Sequence, residues 1–550
     1  LKRSSRSYLS VKFFMKLMAL LVVTSVMGAS AWLWHRIPPA PVAIELQGPI
    51  PAQTRLSSTP RAQFTPNTRK GYYSIDVVGD FTIPSTKKII FNGAGRNLHV
   101  DQDRTKLFRR GFSAVERSRM VPNVEVWPDE NTPRGWQSKL SISQRAYIVY
   151  RNYFTQSFGL AWAENSEKAP ETIYKNTSPT ATDKNNIYQA CVELRGHCYY
   201  FGDCGPNGNN WKATFGTIIL DMENSFWIKH EQEHANLHTF LMKTLQENVS
   251  PETELGSADL FAHNSFGYSR AIDYTAQPDA LFRLPAKHTT TSRQRGMPDE
   301  IVGKSPSDYT DFLMPGTYYL YPEMNYAERH LYDGDRHWLA ALLGEQEVNM
   351  KMSTKKRIAW QWLFNQQNAE FANNAQANHP APPAIAEGTA IFYWFTGAYG
   401  VMFWDDHKDL IPDQPLPTDP NERGLGNDRN YACYEHYIHG LWRIFGHHSD
   451  LFNGKETYLN EATECSYDGG KTWYGYNANQ IKTRDLPFAR AIVNGNQILV
   501  AATKAYAQPN QKSQIMVRYV QNGYQFYTTI NLKGDEIYLG RATMKRAGVR

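Results

Sequence analysis

Two carboxylates close an apolar run at residues 217–224, TIILDMEN: Asp221 and Glu223. On a β-strand, that period-2 spacing sends both side chains to one face. An acid at the end of an apolar strand is costly to bury unless a site uses it. Further apolar runs close the same way, adding Glu164 (FGLAWAEN), Glu323 (TYYLYPEM) and Asp405 with Asp406 (GVMFWDD). Carboxyl groups that meet from separate segments suit glycosidic bond cleavage. One protonated group donates to the leaving oxygen while an ionised partner attacks or activates water. The separation is roughly 5–5.5 Å for retention and about 6.5–9.5 Å for inversion. Crowding of like charges raises one pKa and keeps that acid protonated near neutrality. This reading makes Glu223 the acid, Glu323 the nucleophile or base, and Asp221 the modulator of its neighbour's charge. Glu164, Asn224, Asp405 and Asp406 are then expected to bind substrate hydroxyls. Any one of these acids alone is as well explained as a helix N-cap or a loop ion pair. The 221/223 pair is what favours chemistry.

Aromatic residues make up 13% of the chain and crowd the same segments, so rings are available to stack on the apolar face of a sugar. Most belong in cores. Trp162 and Trp404, beside strand-end acids, are the best ring candidates, with Tyr321 and Trp360 as further substrate contacts. Residues 230–234, HEQEH, formally match the zinc pattern H-E-x-x-H, with His230 and His234 on one helix face and Glu231 as base. The charged and polar middle positions Gln232 and Glu233 favour a polar, solvated helix face instead. Gly93-Ala94-Gly95 is half of a dinucleotide fingerprint and lacks the third glycine. The hydrolase reading requires no metal and no cofactor.

Candidate strands are 72–78, 87–91, 124–127, 158–165, 217–224, 317–324, 357–364 and 400–406, and residues 141–157, 225–248 and 431–446 carry helical spacing. No strand is evident between 250 and 315. Alternation of this kind predicts a TIM-type (β/α)8 barrel over 71–454, with the strand-end acids converging on its C-terminal mouth. From 455 to 550 short alternating runs, punctuated by Asn-Gly at 494–495 and 522–523, predict a small antiparallel β-sandwich.

The formal charge of +6 is carried by residues 1–36, which hold Lys2, Arg3, Arg6, Lys12, Lys16 and Arg36 and no acid. The remainder is neutral, which argues against a nucleic-acid partner. Residues 17–34 are apolar and uncharged, with Ala29-Ser30-Ala31 as a small-x-small site and Met15 as a candidate start. They read as an export signal or, uncleaved, as a membrane anchor. Either way the rest of the chain is expected in the periplasm, at the cell surface or outside the cell. Residues 37–70, rich in Pro, Thr, Ser and Gln, read as an extended tether. Cys191, Cys198 and Cys204 crowd one stretch, while Cys433 and Cys465 stand apart, and an odd count leaves at least one thiol without an internal partner.

TIILDMEN, YYLYPEM and GVMFWDD, followed by the β-rich C-terminus, resemble the layout of secreted bacterial glycoside hydrolases with a barrel and a C-terminal sandwich. The resemblance implies a carbohydrate substrate. The common arrangement in such barrels has an Asn-Glu pair after the fourth strand and a Glu after the seventh. Here the order is Glu223-Asn224, and RIAWQWLF ends without an acid. SYDGGKTW (466–473) resembles the Asp-box turn through Ser466, Asp468, Gly470, Thr472 and Trp473, which implies a structural hairpin. Two other readings stand beside the enzyme: a non-catalytic glycan-binding protein on the same scaffold, and a zinc metalloprotease.

Overall fold

The computed structural model describes residues 52–61, 63, 77–92, 107–116, 141–150, 174, 215–221, 231–249, 251–258, 283–318, 331–363, 381–404, 428–460, 463–475, 486–505, 507–521 and 524–544. Eight parallel strands close on themselves: β1 (Lys88–Asn92), β2 (Ala114–Glu116), β3 (Arg145–Tyr150), β4 (Thr217–Asp221), β5 (Glu254–Ser257), β6, β7 (Lys356–Trp362) and β8 (Gly400–Trp404). Strand β6 comes in two pieces, Phe312–Leu313 and Gly316–Tyr318. Pro315 between them has no N–H for the ladder, but its carbonyl still accepts from Trp360 N at 2.9 Å. The register, followed from Ile90↔Ala114 round to Gly400↔Lys88, returns to β1 displaced by eight residues. Eight strands with a shear of eight are the parameters of a TIM barrel.

The strands read as continuous apolar runs because both faces are buried. Ile90, Ala146, Ile148, Ile219, Ile358 and Met402 fill the lumen. Their neighbours face outward, Ile218 and Leu220 under one set of covering residues and Val401 and Phe403 under another. Among the described residues, long helices follow four of the strands: α1 (Glu231–Asn248) after β4, α2 (Leu331–Met352) after β6, α3 (Pro383–Phe392) after β7 and α4 (Asp428–Leu441) after β8, and a short helix at Thr290–Gln294 follows β5. Helix α4 runs on into a π-turn at Trp442–Gly446. Gly440 lets α4 cross α3 closely, since a Cβ there would stand 2.8 Å from Ala390 Cβ and Glu387 O.

Two further sheets follow, built from β9 (Thr457–Tyr458), β10 (Glu464–Ser466), β11 (Phe488–Asn494), β12 (Gln497–Thr503), β13 (Lys512–Gln521), β14 (Tyr524–Lys533) and β15 (Ile537–Thr543). One sheet has the order β14-β13-β10 and the other β9-β11-β12-β15, with every one of these pairs antiparallel. Ala491, Val493 and Val500 of the second sheet share a core with Ile515, Val517 and Ile530 of the first. The second sheet is buried on its other side too, where Ile492, Leu499 and Leu539 join the core formed by α2, α3 and the barrel. One buried ion pair crosses that seam, Arg490–Glu347 at 2.6 Å, and Arg443, paired with Glu387 beside it, reaches across to Ile537 O.

Four expectations change here. Residues 141–157 were expected to be helical, yet Ile142–Gln144 is a single 3-10 turn and Arg145–Tyr150 is β3. The serine cap signal is real, because Ser141 and Gln144 form a capping box, but it caps one turn before an apolar, β-favouring run. Residues 77–78, assigned to a strand, form a bend. The strands not evident between 250 and 315 are β5 and the first piece of β6, only four and two residues long. Finally, part of the expected tether is built into the sheets. Ala52–Gln53 pairs with β14 and Ser57–Ser58 with β15. The same segment reaches α3 through Arg61 and Glu387, 2.7 Å apart. Among the described residues, no helix is long and apolar enough to cross a membrane.

Candidate functional site at the barrel mouth

A shear of eight stacks lumen-facing residues from alternate strands into layers. By register, Thr217 and Phe312 share one layer. Glu116, Ile219, Met314 and Met402 form the next, and the positions of Asp221, Gly316 and Trp404 lie above it. The interleaved layer from the other strands holds Ile148, Ala258 and Trp360. Gly256 fits below them because a side chain there would collide with the Phe312 ring.

The two ends of this stack differ. At the N-terminal end Glu254 takes Lys88, Lys356 at 2.8 Å and the Tyr399 hydroxyl at 2.8 Å, while Lys88 also reaches Thr217 Oγ1 at 2.8 Å. Burial alone would raise the Glu254 pKa. The Lys88 charge and the hydrogen bonds from Lys356, Lys88 and Tyr399 outweigh it and lower the value. That end is a self-satisfied polar plug. The C-terminal end is where the sequence placed its acids, as barrel active sites require.

Asp221 is the last residue of β4, 5% exposed, and shares the lumen side with Ile219 by strand parity. Trp360 is 4% exposed and belongs to the lumen core, so it forms part of the floor rather than an open stacking surface. Trp404 ends β8. Glu223, Glu323, Trp162, Glu164, Asn224, Tyr321, Asp405 and Asp406 lie outside the described residues. One acid was not anticipated. Glu116 ends β2, is 3% exposed, and its Oε1 accepts the Ile148 backbone N–H at 3.0 Å. The side chain thereby satisfies a backbone donor of the neighbouring strand β3. The signal was present as SAVE, a short apolar run closing on an acid, but three strand residues are too few to show a period.

The HEQEH segment differs from its expected solvated face. α1 starts at Glu231, and His234 and His238 are buried one turn apart with ring centroids 5.5 Å from each other. The residues from 283 to 310 run along the polar side of α1, which at 3.6 residues per turn is the side away from these two rings. Gln232 donates to Pro285 O, Asn236 exchanges hydrogen bonds with the Lys287 backbone, and Glu233 accepts from Thr289. Desolvation pulls the His234 pKa down to about 4. Desolvation, reinforced by the His234 charge, pulls His238 to about 3, so both rings are neutral at pH 7. Among the described residues, no three His, Cys, Asp or Glu side chains are grouped to hold a metal ion. His230 and the Glu231 side chain lie outside them.

The hairpin at 466–473 folds as its resemblance implied. Asp468 Oδ1 accepts from Ser466 Oγ at 2.8 Å and from the Lys471 and Thr472 amides at 2.9 Å each, and Ser466 Oγ accepts from Gly470 N. Those bonds, led by the Thr472 amide, lower the Asp468 pKa to about 2. Gly469 and Gly470 take φ of 73° and 87°, conformations that favour glycine. Cys465 is buried and unpaired, and burial pushes its thiol up to about 11.

No protein-family model matches this sequence, and no curated protein sequence matches it significantly. Solved structures superpose loosely. A GH30 endoxylanase from Clostridium papyrosolvens C71 is 12% identical, with 84% of this chain and 100% of that one covered and a TM-score of 0.30. A glycoside hydrolase family 5 protein from Bacteroides vulgatus ATCC 8482 is 9% identical over 83% of this chain and 89% of that one, with a TM-score of 0.39. A conserved exported protein from Bacteroides fragilis is 9% identical over 84% and 100%, with a TM-score of 0.35. Superpositions of that quality do not define a shared fold; the barrel is defined by its own pairing and shear.

Proposed function

We propose that the chain is an exported carbohydrate-active enzyme that hydrolyses glycosidic bonds at the C-terminal mouth of the barrel. The supporting observation is the closed parallel barrel of shear eight, in which Asp221 ends β4 on the lumen side, at the end opposite the polar plug. Glu223, two residues on, is the acid in this reading. Glu323, from the segment after β6, is the nucleophile or base. Asp221 biases the Glu223 proton by charge, and Asn224, Tyr321, Glu164, Asp405 and Asp406 bind hydroxyls around a floor that includes Trp360. Trp162 and Trp404 stack on sugar rings. The two C-terminal sheets form a β-sandwich that braces the barrel, and residues 17–34 direct export.

Reducing-end release from a panel of plant, fungal and bacterial polysaccharides tests the reading. Wild type should cut at least one, and Glu223→Gln and Glu323→Gln should each lose that activity by about 10²-fold or more, the contribution expected of a positioned acid or base. Activity that survives both substitutions refutes the residue roles. Binding without cleavage in wild type favours the glycan-binding reading instead.

A further inference from the structure

The first C-terminal sheet has one face in the sandwich core and one in solvent. Ile515, Val517 and Tyr519 of β13 and Phe526, Ile530 and Leu532 of β14 point inward. Strand parity sends Lys512, Gln514 and Arg518 outward, directly opposite Lys533, Asn531 and Tyr527 respectively. Lys512 and Lys533 are both exposed and face one another across the ladder, and among the described residues no ion pair reaches either. Like charges placed opposite on a sheet destabilise it, and the nearby Glu536 carboxylate is held by the Lys533 backbone N–H at 2.6 Å rather than by either ammonium group.

The rest of the row is polar and aromatic. Gln514 Nε2 bonds Asn531 Oδ1 at 2.9 Å, both side chains exposed. Arg518, roughly 20 Å along the strand from Lys512 by the rise per residue, lies over the Trp473 ring at 4.5 Å and pairs with Glu464 at 2.6 Å. Tyr527 stands beside it. Glu464 offsets Arg518, while Asp468, the other acid of this edge, is committed to its own turn. The face therefore carries two facing lysines that form no ion pair among the described residues, a row of amides and a pair of half-buried rings.

We propose that this outward sheet face binds an anionic polysaccharide, with the Lys512–Lys533 pair on its carboxylates and the Arg518, Trp473 and Tyr527 end on its sugar rings. Charge complementarity selects the polymer as acidic, and the amides and rings select it as a glycan. The carbohydrate class rests on the reading of the barrel given above, but none of the residues of this face belongs to the barrel strands.

Affinity electrophoresis of the whole chain through gels containing polygalacturonate, neutral β-glucan or a DNA oligonucleotide tests this. Polygalacturonate should retard the wild type at low salt, with the effect fading at high salt. K512E/K533E reverses two exposed charges and should weaken retardation by about tenfold or more with an unchanged melting temperature. Y527A should weaken it by a smaller factor. Retardation of K512E/K533E equal to that of wild type, equal retardation by β-glucan, or no retardation by polygalacturonate overturns the proposal. Stronger retention by DNA through the same lysines also overturns it and reassigns the face to nucleic acid. Glu223→Gln should be retarded like wild type. If polysaccharide is cut but K512E/K533E changes nothing, the sheet proposal falls and the barrel reading stands. If the gel shift is lost in K512E/K533E but nothing is cut, the reverse holds.

Discussion

Burial of His234 and His238 on α1 makes the stability of that helix a function of pH. The folded helix holds both rings neutral, with pKa values near 4 and 3 against 6.5 when exposed. Depressed values mean that the unfolded form binds protons first as pH falls. The stabilisation of the neutral rings is intact above pH 6.5 and is lost progressively below it, until the folded pKa values are reached. Each ring then costs about 1.4 kcal/mol per pH unit, so a drop from pH 6.5 to 5 removes about 2 kcal/mol per ring and about 4 kcal/mol for the pair. Native-state hydrogen exchange read on α1 peptides measures the opening free energy of this helix directly. Wild type should lose about 4 kcal/mol of protection between pH 7 and 5, after correction for intrinsic exchange rates. His234→Gln with His238→Leu should remove that dependence from the opening of α1, since His436 and His448, also held near 4 mainly by burial, lie outside this helix. Equal pH dependence in wild type and the double variant would refute the burial reasoning. Stoichiometric zinc that protects α1 at pH 7 would move the zinc protease to first place.

Other outcomes follow from the same contacts. Glu387 is fully buried against Arg443. Burial would raise its pKa, but the His439 hydrogen bond and the Arg443 and Arg61 charges bring it down to about 2. Glu387→Ala strands the Arg443 guanidinium and should cost about 3–5 kcal/mol, while Arg61→Ala, which removes a side chain that is itself 48% exposed, should cost less than about 1 kcal/mol; chemical denaturation ranks the two. Gly256→Val drives a branched side chain into Phe312 and should cost about 1–3 kcal/mol, partly recovered by Phe312→Leu, as thermal melting would report. Asp468→Ala removes the acceptor of the 466–473 hairpin, so protease nicking there should rise while the barrel's melting is unchanged.

Much of the barrel was legible because a fully buried parallel strand must be apolar on both faces. KKIIF, TIILD, RIAWQW and GVMFW therefore stand out, and they became β1, β4, β7 and β8. β2 and β5 were hidden by their length, and β3 by a capping serine and by tyrosines at helical spacing. Alternation gave Asp221 and Glu223 a common face from sequence alone, but which face is the lumen came from the barrel's register, because β4 is apolar on both sides. Glu116 and the covering of Gln232 and Asn236 on α1 were not legible, since each depends on a partner distant in sequence: Ile148 for the first and Pro285 with Lys287 for the second. The role of residues 52–61 was hidden for the same reason, because a two-residue strand has no pattern until β14 and β15 supply its partners.

Convergence of acids from separate strands on one opening underlies the proposed activity. A crystal structure giving the carboxyl separation of Glu223 and Glu323 tests it most directly. A spacing between roughly 5 and 9.5 Å, over a cavity beside Asp221, is the expected result, and its value would also assign retention or inversion. Carboxyls well beyond that range, each paired with a lysine or arginine and facing no cavity, would contradict a hydrolase at this mouth.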